Sequence, residues 1–172
     1  MAYDESATVK GREASMGAFQ TLGHINFKTR DLNKSIAFYK QLGFEPFLEL
    51  TQEDGRPWIV YLRFDDMLYL ELTGGGPAGQ NAPGPEVTGF NHLCITVDNI
   101  DNAAKELEAL GFPLMNPLSQ KKGLDNNRGA WVADPDGNRI ELMEMSPDCV
   151  QYDAINAFKA GKGMTSLVRP LK

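Results

Sequence analysis

Two histidines occur in this 172-residue chain, and each heads a short apolar segment: His24 in GHINFK (Gly23–Lys28) and His92 in NHLCIT (Asn91–Thr96). A glutamate follows each at nearly the same distance. Glu71 stands 47 residues after His24, and Glu141 stands 49 after His92. Imidazole nitrogens combined with carboxylate oxygens suit a divalent transition ion such as Ni, Zn, Co, Mn or Fe. Four such ligands in an octahedral sphere leave two positions for water or substrate. A lone strand histidine or glutamate is ordinarily just hydrogen-bonded or solvated. Here the only two histidines share one register of a repeat, and that sets them apart.

The elements that must position these residues are visible in that repeat. GHINFKTRDLNKSIAFYKQLGFE (Gly23–Glu45) lies over NHLCITVDNIDNAAKELEALGFP (Asn91–Pro113) with an offset of 68, so His24 meets His92 and LGF meets LGF. Each segment reads as a strand, a turn and an amphipathic helix. In the second copy Ile100, Ala103, Ala104, Leu107 and Leu110 keep the helical spacing of three and four. Gly43 and Gly111 stand just past each helix, where a left-handed residue is expected. YLRFDDMLYLEL (Tyr61–Leu72) lies over WVADPDGNRIEL (Trp131–Leu142) with an offset of 70, each a hairpin. DPDG carries Pro135 and Gly137 where a type I turn wants them.

The chain is therefore expected to be α+β, with two βαβββ modules at about 20–73 and 89–145. A Gly- and Pro-rich linker covers 74–88. An N-terminal extension, 1–19, precedes the two-module region 20–146, and a C-terminal helix and tail, 147–172, follows it. Ser146 is the expected N-cap and Pro147 the first helical residue. Val150, Ala154, Ile155 and Phe158 are expected on one face, docked on the chain's own sheet or on a partner subunit. Strand alternation puts His24, Asn26 and Lys28 on one face, and His92, Cys94 and Thr96 on the corresponding one. Glu71 lies between Leu70 and Leu72, and Glu141 between Ile140 and Leu142. The leucines and isoleucine go under the helices, and both carboxylates emerge on the histidine side. Approximate twofold symmetry between the modules would then bring all four groups to one place.

Composition narrows the classes. The residues are 42% apolar and 23% charged, as in an ordinary globular protein. A net charge of −6 argues against a nucleic-acid partner. No apolar run is long enough to span a membrane. The polar N-terminus lacks the apolar core of a signal peptide. Cys94 and Cys149 form no C-x-x-C pair and read as free thiols of a cytoplasmic protein. Cys94 reads as a cup-wall residue, since no spare histidine remains to activate it.

At HINFKTRDLNKSIAFYKQLGF, LYLEL, NHLCITVDNIDNAAKELEALGF and DPDGNRIELME the chain resembles the vicinal oxygen chelate superfamily, over about residues 20–146. The resemblance implies an open, cup-shaped mixed sheet with one divalent ion at its floor, held by His24, Glu71, His92 and Glu141. Two His plus two Glu is most similar to glyoxalase I, the lactoylglutathione lyases. That implies a metal-dependent lyase or isomerase acting on a small 2-oxoaldehyde–thiol adduct. Protons shift through an ene-diolate, with Glu141 and Glu71 as the catalytic carboxylates. Lys28 stands where glyoxalase I usually carries Arg; it keeps the charge but lacks the bidentate fork. Lys28, Asn26 and Arg139 are the candidates for binding a polar group of the substrate. The alternatives within the superfamily are an epimerase, an Fe(II) dioxygenase or a small-molecule-binding protein. A homodimer is one way to pair the modules, since members pair them within a chain or across chains.

Overall fold

The computed structural model describes residues 22–65 and 68–167; the expected extension 1–19 and the end of the tail lie outside them. Module one runs β1 (His24–Lys28), α1 (Leu32–Gln41), β2 (Glu45–Thr51), β3 (Pro57–Arg63) and β4 (Tyr69–Thr73). Module two runs β5 (Leu93–Thr96), α2 (Ile100–Ala109), β6 (Arg128–Ala133) and β7 (Arg139–Glu144), followed by α3 (Val150–Lys159). The first sheet has the order β1-β4-β3-β2 and the second β5-β7-β6. In each, the strand before the helix pairs parallel with the last strand, and the other pairs are antiparallel. The α+β class and open mixed sheets are as expected.

The two helices begin and end alike for chemical reasons. Asp31 and Asn99, at the same place in the two copies, accept from the backbone N–H of Lys34 and Asn102. These caps satisfy N–H groups that no helical carbonyl can reach. At the other end Gly43 (φ +90°) and Gly111 (φ +84°) adopt the expected left-handed conformation. There the N–H of Phe44 returns to Tyr39 O and that of Phe112 to Leu107 O. Each helix thus closes in a Schellman motif, which turns the following phenylalanine back onto the core.

Module two departs from βαβββ by one strand. The stretch 113–118, opposite β2 of module one, contains no strand and makes one ladder-like bond, Met115 N–H to Trp131 O. Pro113 and Pro117 flank it and have no N–H to offer a ladder. The C-terminal helix starts three residues later than expected. Ser146 N–H donates to Asn127 Oδ1, and Cys149 N–H closes a turn onto Ser146 O. Those bonds hold Ser146 and Pro147 outside the helix, and α3 begins after Cys149 without a side-chain cap. Its apolar side does not dock on the chain's own sheets: Ile155 and Phe158 are 49% and 68% exposed.

One core spans both modules. Phe38, Tyr39, Leu70 and Leu72 join Ile100, Ile140 and Leu142 in a single cluster. Phe38 of α1 meets Phe112 edge-on at 5.0 Å. Tyr39 Oη donates to Asp134 Oδ2, Ser35 Oγ to Asp136 Oδ2, and Arg30 Nε to Asp136 Oδ1. The modules therefore meet through the helix side of module one and the β6–β7 turn of module two. The linker carries no helix or strand and is tacked across this junction, with Gly76 N–H on Thr29 O and Ala82 N–H on Asp136 O. A Cβ on Gly76 would lie 2.9 Å from the Thr29 carbonyl carbon, so only glycine permits that approach.

Candidate metal centre

The two sheets set their glutamates in equivalent ladders. Glu71 stands between Asn26 of β1 and Tyr61 of β3, while Glu141 stands between Cys94 of β5 and Trp131 of β6. Leu70, Leu72, Ile140 and Leu142 are buried on the opposite face. A one-residue slip in either strand would bury the carboxylate and expose a leucine. The hydrophobic core thereby fixes where the carboxylates emerge.

His24 Nε2 lies 3.0 Å from Glu71 Oε2, and His92 Nε2 lies 3.2 Å from Glu141 Oε2. Two atoms each about 2.1 Å from one cation are separated by about 3.0 Å when cis in an octahedron. Both pairs lie near that edge length, which is also the length of an ordinary N–H···O hydrogen bond; the imidazole and carboxylate donors are of the kind a divalent ion takes. The glutamates are the more enclosed members, with side chains 14% and 18% exposed, and the imidazoles are partly open to solvent. Asn26 Nδ2 donates to Glu71 Oε1 at 3.0 Å and to Thr73 Oγ1 at 2.7 Å, leaving Glu71 Oε2 toward the histidine. His24 stacks on Tyr69, and Trp131 meets the His92 ring edge-to-face at 4.9 Å.

The structure forms these as two His–Glu pairs, one per module. Among the described residues no group of three or more His, Cys, Asp or Glu is arranged to hold an ion within one chain. Tyr39 of α1 and Arg30 before it bond the β6–β7 turn, which is the polar part of the junction between the modules.

The other candidates are placed as follows. Arg139 lies 4.2 Å over the Trp131 ring, and its Nη1 donates to Asn91 Oδ1 at 2.9 Å. Lys28 Nζ donates to Gly74 O. Lys28 and Asn26 also border a cleft of about 560 Å³ between β1 and the linker, with Arg30, Gln80, Asn81 and Phe90. Cys94 is an exposed residue whose thiol lies beside Glu141. Desolvation first, and that carboxylate second, push its pKa from 9.0 to about 11, so it is no ready nucleophile.

Sequence reasoning did not find Asn91, Tyr61, Tyr69 or Trp131. The last three were recoverable, because they face the glutamates or histidines across ladders that the repeat already aligned. Asn91 gave no signal beyond its place before His92. Arg30, Ser35, Tyr39, Asp134 and Asp136 were missed as a group, since turn chemistry alone accounted for DPDG.

Residues 21–142 match the model of the Glyoxalase/Bleomycin resistance protein/Dioxygenase superfamily. A lactoylglutathione lyase of Schizosaccharomyces pombe is 30% identical over an aligned stretch of 135 residues that covers 70% of this chain and 44% of that protein. The chain thus spans under half the length of that relative. A lactoylglutathione lyase of Pseudomonas putida is 34% identical over 149 residues, covering 72% of this chain and 84% of the relative. Among solved structures, a glyoxalase family protein from Enterococcus faecalis superposes with a TM-score of 0.61 at 24% identity, over 73% of this chain and 98% of that one.

Proposed function

The chain belongs to the Glyoxalase/Bleomycin resistance protein/Dioxygenase superfamily, and on that premise we propose that it is a divalent-metal-dependent lyase or isomerase of the glyoxalase I type. The observation that carries this is the pair of His–Glu edges, 3.0 and 3.2 Å across, in equivalent ladders of the two modules. His24, Glu71, His92 and Glu141 are the ligands. One divalent ion completes the site, of the Ni, Zn, Co, Mn or Fe class. When bound, it supplies a Lewis acid that polarises a substrate oxygen and acidifies the neighbouring C–H.

The protein's own groups do the rest. Glu141 takes the proton from one carbon, and that same proton is returned to the neighbouring carbon by Glu141 or, after transfer to it, by Glu71, so that both carboxylates end ionised as they began. Enclosure beside Trp131 and Tyr61 keeps both carboxylates out of bulk water, which strengthens their interactions with the reacting atoms. Asn26 holds Glu71 by one oxygen, so the other has a fixed direction. Arg139 and Lys28 are cationic grips for a carboxylate on the substrate. Lys28 offers a point charge where an arginine would offer a fork, and the substrate class is a small 2-oxoaldehyde–thiol adduct.

A second copy of the chain supplies the missing half of each site. The histidine face of module one is apolar around its ligands: Leu48 and Leu50 lie on the same face as Glu71, with Phe47 packed on Tyr61 and Tyr69. Leu48 is 46% exposed and Phe47 51%. A patch of this kind fits coverage by another protein surface. In the homodimer, module one of one copy faces module two of the other.

Metal analysis coupled to a methylglyoxal–glutathione assay tests the function. Stoichiometric uptake of a divalent ion with metal-dependent turnover is expected. Protein that takes up none of Ni, Co, Zn, Mn or Fe would sink the enzyme reading and leave a ligand-binding protein.

A further inference from the structure

Asn91 is exposed, lies outside β5 and is no ligand, yet two of its polar contacts reach the second half-site and a third ties it to the linker. Its Nδ2 donates to Pro85 O at 3.1 Å. Its Oδ1 accepts from Arg139 Nη1 at 2.9 Å and faces His92 Nδ1 at 2.9 Å. The network decides which way the amide points. The reverse orientation would set an NH2 against the guanidinium N–H and break the bond to Pro85. The oxygen is therefore held toward His92 by two contacts that do not involve His92.

An acceptor oxygen at that distance favours a hydrogen on Nδ1. Neutral imidazole carries one N–H, so that tautomer leaves the lone pair on Nε2. That atom lies 3.2 Å from Glu141 Oε2. Glu141 competes from that side for the single N–H of neutral His92, at a longer distance than Asn91, and a cation at Nε2 would remove the competition. Trp131 closes the frame, with Arg139 stacked on its face and His92 against it edge-to-face. His24 is held differently, by stacking on Tyr69.

We propose that Asn91 is a positioning residue that biases His92 toward the Nδ1–H tautomer against the pull of Glu141, and so presents Nε2 as a ligand. The guanidinium of Arg139 polarises the same amide oxygen and couples the substrate-side cation to the ligand's orientation. This rests on the metal reading above, but the tautomer itself is a property of the metal-free protein.

The test compares wild type, Asn91→Leu and Asn91→Asp. Long-range 1H–15N NMR on the apo protein reads the tautomer of neutral His92, with His24 as internal control. Zinc titration calorimetry reads affinity. Expected is a larger Nδ1–H fraction in wild type and in Asn91→Asp, which keeps an acceptor oxygen for both donors, than in Asn91→Leu. Asn91→Leu should shift His92 toward Nε2–H, leave His24 unchanged and weaken zinc binding about tenfold or more, the usual effect of losing such a partner. Both variants alter an exposed loop side chain, so folding is not at stake. An undiminished Nδ1–H fraction in Asn91→Leu, or unchanged zinc affinity, overturns the proposal. A wild-type protein that binds no zinc while Asn91→Leu still switches the tautomer would defeat the metal reading and leave the control of His92 by Asn91 standing.

Discussion

Tyr39 Oη donates to Asp134 Oδ2 at 2.9 Å across 95 residues of sequence, tying α1 of module one to the β6–β7 turn of module two. Tyr39 is fully buried and Asp134 nearly so. Asp134 also organises its own turn, since its Oδ1 accepts from the backbone N–H of Asp136 and Asn138. A charged acceptor held this way, in a dry junction, makes the bond stronger than an exposed one. The junction decides which surfaces of the modules meet inside the chain, and hence which remain free to meet outside it.

Removing that hydroxyl should loosen the junction and change its alkaline behaviour. Burial first, and the Asp134 carboxylate second, raise the Tyr39 pKa well above its ordinary value. Below about pH 10, tyrosine's ordinary pKa, both folded and unfolded chains keep the proton and the contribution is complete. As pH rises further the unfolded chain ionises first, so stability falls until the folded value is passed. Tyr39→Phe should cost about 1–3 kcal/mol at neutral pH and abolish that alkaline slope. Urea unfolding at a series of pH values checks both; a slope that persists in the variant would assign it elsewhere.

Asp101 contributes to the acid response of module two. Hydrogen bonds from Arg128, at 2.7 and 3.1 Å, hold its pKa near 2, against an ordinary 3.8. Above the ordinary value the contribution is complete. As pH falls from there toward 2 the unfolded chain takes up the proton first, and stability is lost. Asp101→Asn should therefore be less sensitive to acid than wild type within that window, at some loss of stability at neutral pH. Tryptophan fluorescence during acid titration reports it.

Glu141→Gln separates ligation from proton transfer. An amide oxygen can still coordinate weakly but cannot accept the proton. Turnover at saturating metal should fall by about 10²–10⁴, the usual contribution of a general base, beyond any loss from weaker metal binding. Measuring kcat at several metal concentrations distinguishes the two. Wild-type turnover in the saturated variant would exclude Glu141 as the base.

Much of this was open to the sequence because it is local and periodic. Strand alternation put Glu71 and Glu141 beside buried leucines and on the histidine face. Gly43 and Gly111 announced both helix ends. The capping pair Asp31 and Asn99 also sits at equivalent places of the repeat. What escaped depends on partners distant in sequence. Nothing local to Tyr39 or Asp134 says that they meet, and symmetry alone left open whether the candidate residues pair within a chain or across chains; among the described residues they stand as two separate His–Glu pairs. The strand lost at 113–118 and the late start of α3 were decided by prolines without N–H groups and by Asn127, which claims the Ser146 amide.

Pairing across two chains has a consequence that no single-chain site shares. If each site takes His24 and Glu71 from one copy and His92 and Glu141 from the other, Glu71→Gln and Glu141→Gln chains are each inactive alone. A mixed dimer of the two variants carries both substitutions in one site and neither in the other. Unfolding and refolding the variants together at equal concentration gives half mixed dimers if assembly is random, so about a quarter of wild-type activity should return. Mixing without exchange of chains should restore nothing, which controls for contamination. Failure to regain activity after demonstrated exchange would place the complete site within one chain.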